Sequence, residues 1–458
     1  MKRIALGLMI FWAVAGAQPS GIGQRVRRYL ADLVRLNTTN PPGNETRVVD
    51  YLKQTAAANG IAAEAIGDKP ARLNFVARVT ATHHTGAKPL LLMAHSDVVP
   101  ADPSLWTIGP FSAELRDGYI YGRGAQDDKS LLAAELAVLV ELKQQSVPLN
   151  RDVILLSEAD EEAGSTGMSW MVRNAWDKID AEFALNEGGD AFDTKGGVRV
   201  FQIQTSEKIP TRITLTAHGT AGHGSLPRAD NAVVHLARAI TRLADFVEPV
   251  ELNVTTRRYL TDIAKLPDYQ WLPPILPRLE SAATAVAAAN EIGARDAELN
   301  AMLRTSVSPT MLQAGMKVNV IPNQAVAQVD VRRLPTETRQ EVEARFRAVI
   351  NDPAVTVSPE GGQEMPATEP SSMTTPLYLA LEKLFKQSRP DSLVVPFMSR
   401  GATDGSFLRQ KGMAVYGVPI FVRDGESRAH GNDERISPEN LTQGTELLYK
   451  MVTSIVAQ

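Results

Sequence analysis

The chain has 458 residues, 44% hydrophobic and 22% charged, with a formal charge of −4 and no cysteine. This length suits about two to four domains and more than one buried core. The mildly acidic balance, without a Lys/Arg run, offers no footprint for nucleic acid. The missing cysteines exclude disulfides, thiolate metal sites and a cysteine nucleophile, so any metal must rest on His and carboxylates, which suits zinc or a harder divalent ion.

At the N-terminus Lys2 and Arg3 precede IALGLMIFWAVAGA, an apolar run too short for a comfortable membrane span, and Ala15-Gly16-Ala17 supplies a small-residue cleavage pattern. Residues 1–17 are therefore expected to be a signal peptide. The mature chain would begin near Gln18, be periplasmic or secreted, and keep no stable membrane anchor. An uncleaved anchor is the alternative.

Helical patterns then run from about Ile22 to Gly60, interrupted by Pro41-Pro42-Gly43. NFVARVT at 74–80 reads as a strand. KPLLLMA at 88–94 is a continuous apolar run, as in strands buried on both faces, and it ends in His95-Ser96-Asp97. YIYGRGAQDDKSL at 119–131 passes from a β-like segment through a Gly-Arg-Gly turn into Asp127 and Asp128, where a long apolar helix pattern begins. Such a pair could simply complement the helix's positive end, worth about 0.3–1 kcal/mol. DVILLS, however, runs into Glu158-Ala159-Asp160-Glu161-Glu162, and Phe183–Leu185 into Asn186-Glu187. Three buried-type strands with such endings point to a site at the carboxyl edge of an open α/β sheet.

The pattern changes near Ser206. Alternating strands such as RITLTA and AVAQVDV, with helices VVHLARAITRLADF and TRQEVEARFRAVI, indicate a separate two-layer α+β unit. The expected organisation is a first catalytic part at 18–206, an inserted unit at 207–360 with a mostly helical insertion at 251–316, and a second catalytic part at 361–458. In that last part the α/β pattern resumes and contains GATDGSF and RAHGNDERIS.

His95 and Asp97 share one side of an extended end. Asp127, Asp128, Glu161, Glu162 and Glu187 crowd carboxylates that raise one another's pKa, and His430 completes the set. Two divalent ions would resolve the repulsion, because paired ions about 3.5–4 Å apart can share a bridging carboxylate. A solvated helix start at Glu161-Glu162 and a satisfied loop histidine at His430 are the plainer alternatives.

LLLMAHSDVVP, DGYIYGRGAQDDKS, ADEEAGS, LNEGG, GTAGHGSLP, KVNVIP with DVR, GATDG and AHGNDERI occur in this order. From about Arg27 to the C-terminus the chain thereby resembles the dinuclear zinc exopeptidases and amidohydrolases grouped around acetylornithine deacetylase, succinyl-diaminopimelate desuccinylase, aminoacylase and carboxypeptidase G. DPSLWTIGPFSAEL and the helical insertion look most like the carboxypeptidase S branch. The resemblance implies an α/β fold: a zinc-exopeptidase-like catalytic domain with a mixed, mainly parallel sheet, carrying an inserted α+β (ferredoxin-like) lid/dimerisation domain. It implies two Zn2+, with Co2+ or Mn2+ as substitutes. Asp127 would bridge them, His95 and Glu187 would complete one site, and Glu162 and His430 the other. Asp97 would orient His95 through its second ring nitrogen, Glu161 would be the general base, and the Asp127–Asp128 peptide would be cis.

The matching His223 would cross a dimer interface to stabilise the oxyanion in the partner's active site. Asn319 and Arg332 would hold the substrate's carbonyl and terminal carboxylate, and Gly401 and Thr403 belong to a substrate-contacting loop. That loop departs from the pattern at Ala402 and Ser406, where many relatives carry Gly and Arg, which puts specificity for diacid side chains in doubt. The implied activity is zinc-dependent hydrolysis of an amide bond beside a free carboxylate, by a carboxypeptidase or dipeptidase acting on short peptides. An N-acyl-amino-acid hydrolase of aminoacylase type is the alternative, and a homodimer is possible. A non-catalytic binding protein on the same fold is a third reading, disfavoured because a binder has no need of Glu161.

Overall fold

The computed structural model describes residues 21–361 and 364–457; the expected signal peptide lies outside them. The continuous apolar runs form the middle of a nine-stranded mixed sheet. Across it the order is Ala62–Ile66, Asn74–Val79, Val153–Glu158, Leu90–His95, Phe183–Asn186, Ala414–Gly417, Arg199–Glu207 and Leu393–Ser399, with Asp190–Asp193 paired beside Arg199–Glu207. Leu90–His95 runs parallel to both of its neighbours, and parallel pairs recur further along the sheet. Every residue of Leu90–His95 and Val153–Glu158 is buried, as strands covered on two faces require.

Helix Lys129–Gln144 covers one face, flanked by Gly21–Arg35 and Pro438–Val456. Leu30, Leu33, Val138, Leu448 and Val452 meet there in one core, each buried aliphatic side chain contributing about 1.5–3 kcal/mol. Thr166–Asn174 and Gly405–Gln410 cover the other face, packing Met168, Met171, Phe407 and Leu408 on Leu91, Met93 and Ile154. The parallel register sets His95 level with Glu158 and Leu92 level with Leu185. The loops carrying the predicted ligands therefore leave one edge of the sheet together.

The α+β pattern becomes an antiparallel sheet in the order Ser306–Ala314, Gln324–Arg333, Ile209–His218, Val355–Pro359. Its alternate residues, including Ile213, Leu215, Val329 and Val331, face Leu236, Leu243, Val342 and Phe346 of two helices. The 251–316 reading needs correcting at its end. Val254–Ile263, Ala285–Gly293 and Ala297–Ala301 are helical, but Ser306–Ala314 is the edge strand of this sheet. A register shift between Pro309 and Met311 breaks its alternation, which hid it from the sequence pattern.

The helices of that segment turn their apolar residues elsewhere. Tyr259, Leu260, Ile263, Ile292 and Leu303 share a core with Val200, Val395 and Met398 of the central sheet. Among the described residues no helix is long and apolar enough to cross a membrane.

Candidate metal centre and its cavity

The centre begins where Leu90–His95 ends. The buried His95 ring places Nε2 3.0 Å from Asp127 Oδ1, while the other carboxylate oxygen of Asp127 lies 3.1 Å from His430 Nε2. His430 Nε2 is also 3.1 Å from Glu162 Oε1. Asp127 thus stands between the two imidazoles, one oxygen to each, and the Asp127–Asp128 peptide is cis. Donor atoms of His95, Asp127 and Glu162 lie within 4.8 Å of one another, as do those of His95, Asp128 and Glu187. All five predicted ligands therefore converge, together with Asp128, one of the crowded carboxylates to which the family resemblance gives no ligand role.

Electrostatics at this edge are strained by like charge. Burial, then the neighbouring Glu187, Asp404 and Glu162, pushes the Glu161 carboxyl well above its ordinary range. Glu187 is raised by burial and by Asp127, Asp128 and Glu162. Asp127 is held low despite its burial by hydrogen bonds from His430 and His95. Those to Asp127 and Glu162 lift His430 to about 10. Asp128 Oδ2 and Glu158 Oε2 are buried without a partner, a costly arrangement for carboxylates unless cations neutralise it. Two imidazoles, several carboxylates and no thiolate make a donor set that fits a pair of divalent ions.

The supports of this centre lie in loops. Asp97 accepts the backbone N–H groups of Glu161 and Glu162 at 3.1 and 3.2 Å, and the Asn40 amide at 2.6 Å. Its carboxylate is 3.6 Å from His95 Nδ1, which is nearer its own backbone oxygen at 3.0 Å. Glu434 accepts the N–H groups of Gly124, Gln126 and Asp127 at 3.2, 2.6 and 3.0 Å, and is paired with Arg123. Within this turn Gly124 adopts φ +92°, and an added Cβ would stand 2.9 Å from Lys129 Cδ. Lys129 Nζ in turn donates to the carbonyls of Leu33 and Leu36 at 3.1 and 2.6 Å, tying the helix after Asp128 to the end of Gly21–Arg35. Asn40 and Glu434 were missed in the sequence; the nearest signals were the NPPG turn and the acid four residues past His430.

A cavity of about 870 Å³ opens beside the centre, lined by Asp127, Asp128, Glu187, His430 and Gly401. The insertion contributes Tyr259, Tyr269, Leu299 and Met302 to its lining. Thr403 is buried and donates to Glu207 Oε2 at 2.7 Å instead of lining the cavity. His223, Asn319 and Arg332 do not line it either. His223 is exposed, with Nδ1 2.7 Å from Ser225 Oγ; Asn319 is exposed; Arg332 pairs with Asp330 at 3.2 Å.

Residues 91–454 match Peptidase family M20/M25/M40. The chain belongs to this family. It is an enzyme of the metallopeptidase and amidohydrolase kind, and the family binds a pair of metal ions. Among M20 relatives, the N-fatty-acyl-amino acid synthase/hydrolase PM20D1 of Homo sapiens is 29% identical over 384 residues, 80% of this chain and 74% of that one. The probable carboxypeptidase S-like 2 of Dictyostelium discoideum is 28% identical over 400 residues, 83% of this chain and 75% of that one. In fold, an M20 metallo-carboxypeptidase, Sso-CP2 of Sulfolobus solfataricus, superposes with TM-score 0.73 at 21% identity, covering 94% of this chain and 99% of that one.

Proposed function

We propose that this is an exported, zinc-dependent hydrolase that cleaves an amide bond beside a free carboxylate, as a carboxypeptidase or dipeptidase on short peptides. The observation that carries it is the seating of Asp127 between His95 and His430, with Glu162 beside His430 and Glu187 in reach of His95. His95, Asp127 and Glu187 would hold one ion, and Asp127, Glu162 and His430 the other. When bound, the pair supplies Lewis acidity toward the scissile carbonyl and lowers the pKa of a coordinated water. Glu161 takes the proton of the attacking water and hands it to the nitrogen of the leaving amine as the C–N bond breaks. Asp97 fixes the turn that presents Glu161 and Glu162. Export rests on the N-terminal pattern of residues 1–17.

An N-acyl amino acid is the second substrate reading. It is favoured by the apolar residues in the cavity lining, among them Phe192, Tyr259, Met302 and Phe397, which pack in one cluster, and by the activity named for the human relative. The exposed His223 and the solvent-facing edge strand with Met311 and Leu312 support a homodimer in which His223 of one copy reaches the oxyanion in the other. The test pairs dipeptides with long-chain N-acyl amino acids on zinc-loaded protein, following released amine. Glu161→Gln should lose turnover while retaining its metal. Normal turnover in that variant would remove Glu161 as base, and no hydrolysis of either substrate class by the wild type would return the protein to the binder reading.

A further inference from the structure

At the end of strand Arg199–Glu207 the chain leaves the central sheet and, after Lys208 alone, enters the four-stranded sheet at Ile209. The last residue of that strand, Glu207, is buried and fully partnered. One carboxylate oxygen is 2.8 Å from Arg409 Nη1. The other accepts the Thr403 N–H at 3.0 Å, the Thr403 hydroxyl at 2.7 Å and the Gln204 side-chain amide at 3.1 Å. A buried ion pair adds little net stability, since apolar residues of similar volume often do as well. The partners of this one show what it holds in place.

Two of them lead to the metal centre. The Thr403 hydroxyl, oriented by Glu207, accepts the Asn186 side-chain amide at 3.2 Å, and Asn186 directly precedes the predicted ligand Glu187. Gln204 lies against the turn that follows: a Cβ added at Gly188 would stand 2.6 Å from its Nε2. Glu187 is thus flanked by residues in contact with side chains that Glu207 orients. The same acid steadies part of the cavity lining. Thr403 is two residues from Gly401, which faces the cavity, and the Lys208 N–H beside Glu207 holds the Ser399 carbonyl at 2.8 Å. Arg409, on the helix after this loop, is locked in turn by Ser371 Oγ and the Val415 carbonyl at 3.2 and 3.3 Å. A ligand turn and a loop distant in sequence therefore share one buried anchor.

We propose that Glu207 is a positioning residue, which keeps Glu187 in place for one of the two ions and Gly401 in place for the substrate. It lines no part of the cavity itself. This rests on the hydrolase reading above for the roles of Glu187 and Gly401, and adds the group that sets them relative to each other. Because Glu187 serves one ion in that reading, loss of Glu207 falls unequally on the pair. Lys208 supplies the contrast. It is as buried as Glu207, but its Nζ donates to the carbonyls of Ala301 and Arg304 at 2.8 Å each, and none of its side-chain partners lies in the 186–188 turn.

The experiment titrates zinc into metal-free, full-length protein against a competing chelator, with the unfolding midpoint read alongside. Glu207→Gln keeps the volume but turns an NH2 toward either Arg409 or the Thr403 and Gln204 donors. One zinc should then bind about 10- to 100-fold more weakly, as when a residue that holds a ligand is lost, and the other as in wild type. Thr403→Val cuts the link to Asn186 and leaves the buried ion pair; it should weaken the same zinc, and it stands in if Glu207→Gln does not fold. Lys208→Met should lower the midpoint and change neither affinity. At saturating zinc, the KM of Glu207→Gln for a dipeptide should rise as the Gly401 loop is released, and a wild-type KM would remove that half of the proposal. A merely structural Glu207 would lower the midpoint with both affinities kept, or weaken both ions alike, and either result overturns its positioning role. A wild type that binds two zinc ions yet hydrolyses neither dipeptides nor N-acyl amino acids overturns the hydrolase reading instead, while the zinc titration still decides for Glu207.

Discussion

Glu434→Gln isolates the support beneath Asp127 without altering any predicted metal ligand. Four donors converge on the Glu434 carboxylate: Gln126 and Asp127 N–H on one oxygen, Gly124 N–H and the Arg123 guanidinium on the other. Burial pushes this carboxyl up to about 7, yet a protonated acid could not accept from all four, and their arrangement selects the charged form. Glutamine keeps the volume but presents an NH2 to one pair of donors in either orientation. Two hydrogen bonds to a charged group are then lost, at about 1.5–3 kcal/mol each, or about 3–6 kcal/mol together. The unfolding midpoint of the metal-free protein should drop accordingly. Because the released backbone includes Asp127, zinc affinity should fall about 10- to 100-fold, as for other residues that hold a ligand in place. Denaturation curves and competition with a chelator measure the two effects. A variant with wild-type midpoint and wild-type zinc affinity would refute the idea that Glu434 positions Asp127.

Glu135 lies fully buried on helix Lys129–Gln144 without an ion-pair partner among the described residues, and burial together with Glu158 raises its pKa well above normal against the pull of the Met93 backbone. A raised folded-state value means its cost is absent below the unfolded pKa and grows as pH climbs from there. Glu135→Gln should therefore stabilise the protein by about 1–3 kcal/mol at neutral pH and by little near pH 4; a gain in thermal midpoint independent of pH would contradict this. His223→Ala should lower kcat about 10²- to 10³-fold with a small effect on KM, and mixing it with Glu161→Gln should restore part of the activity through mixed dimers. An unchanged kcat, or a mixture no more active than its parts, would dismiss a role for His223 across an interface.

Much of the centre was legible because its residues sit at the ends of apolar strands. His95 and Glu187 follow runs that only a sheet interior explains, and Asp127 opens a helix whose apolar length announces it. The supports were not legible. Asp97 reads as a partner of His95, but its carboxylate serves chiefly the N–H groups of Glu161 and Glu162, a consequence of the turn in which Asp160 adopts φ +70°. Glu434 lies some three hundred residues from the N–H groups it binds, a pairing no local pattern reveals. Ser306–Ala314 was concealed by its bulge, and Thr403 is drawn inward by Glu207, an acid buried in the core. Asn319 and Arg332 were placed by analogy with relatives, and here neither lines the cavity: Arg332 is on strand Gln324–Arg333 of the four-stranded sheet and Asn319 precedes the short strand Val320–Ile321.

The seating of the 254–303 helices on Val200, Val395 and Met398 has a mechanical corollary. On the substrate reading proposed above, the wall that would meet an acyl group and the carboxylates that would gather the cations are parts of one body, so selectivity would be set in the resting shape of the molecule. Residues 254–303 could then diverge to suit a new side chain while the proton-transfer machinery stays untouched, since no ligand, base or clamp is drawn from them.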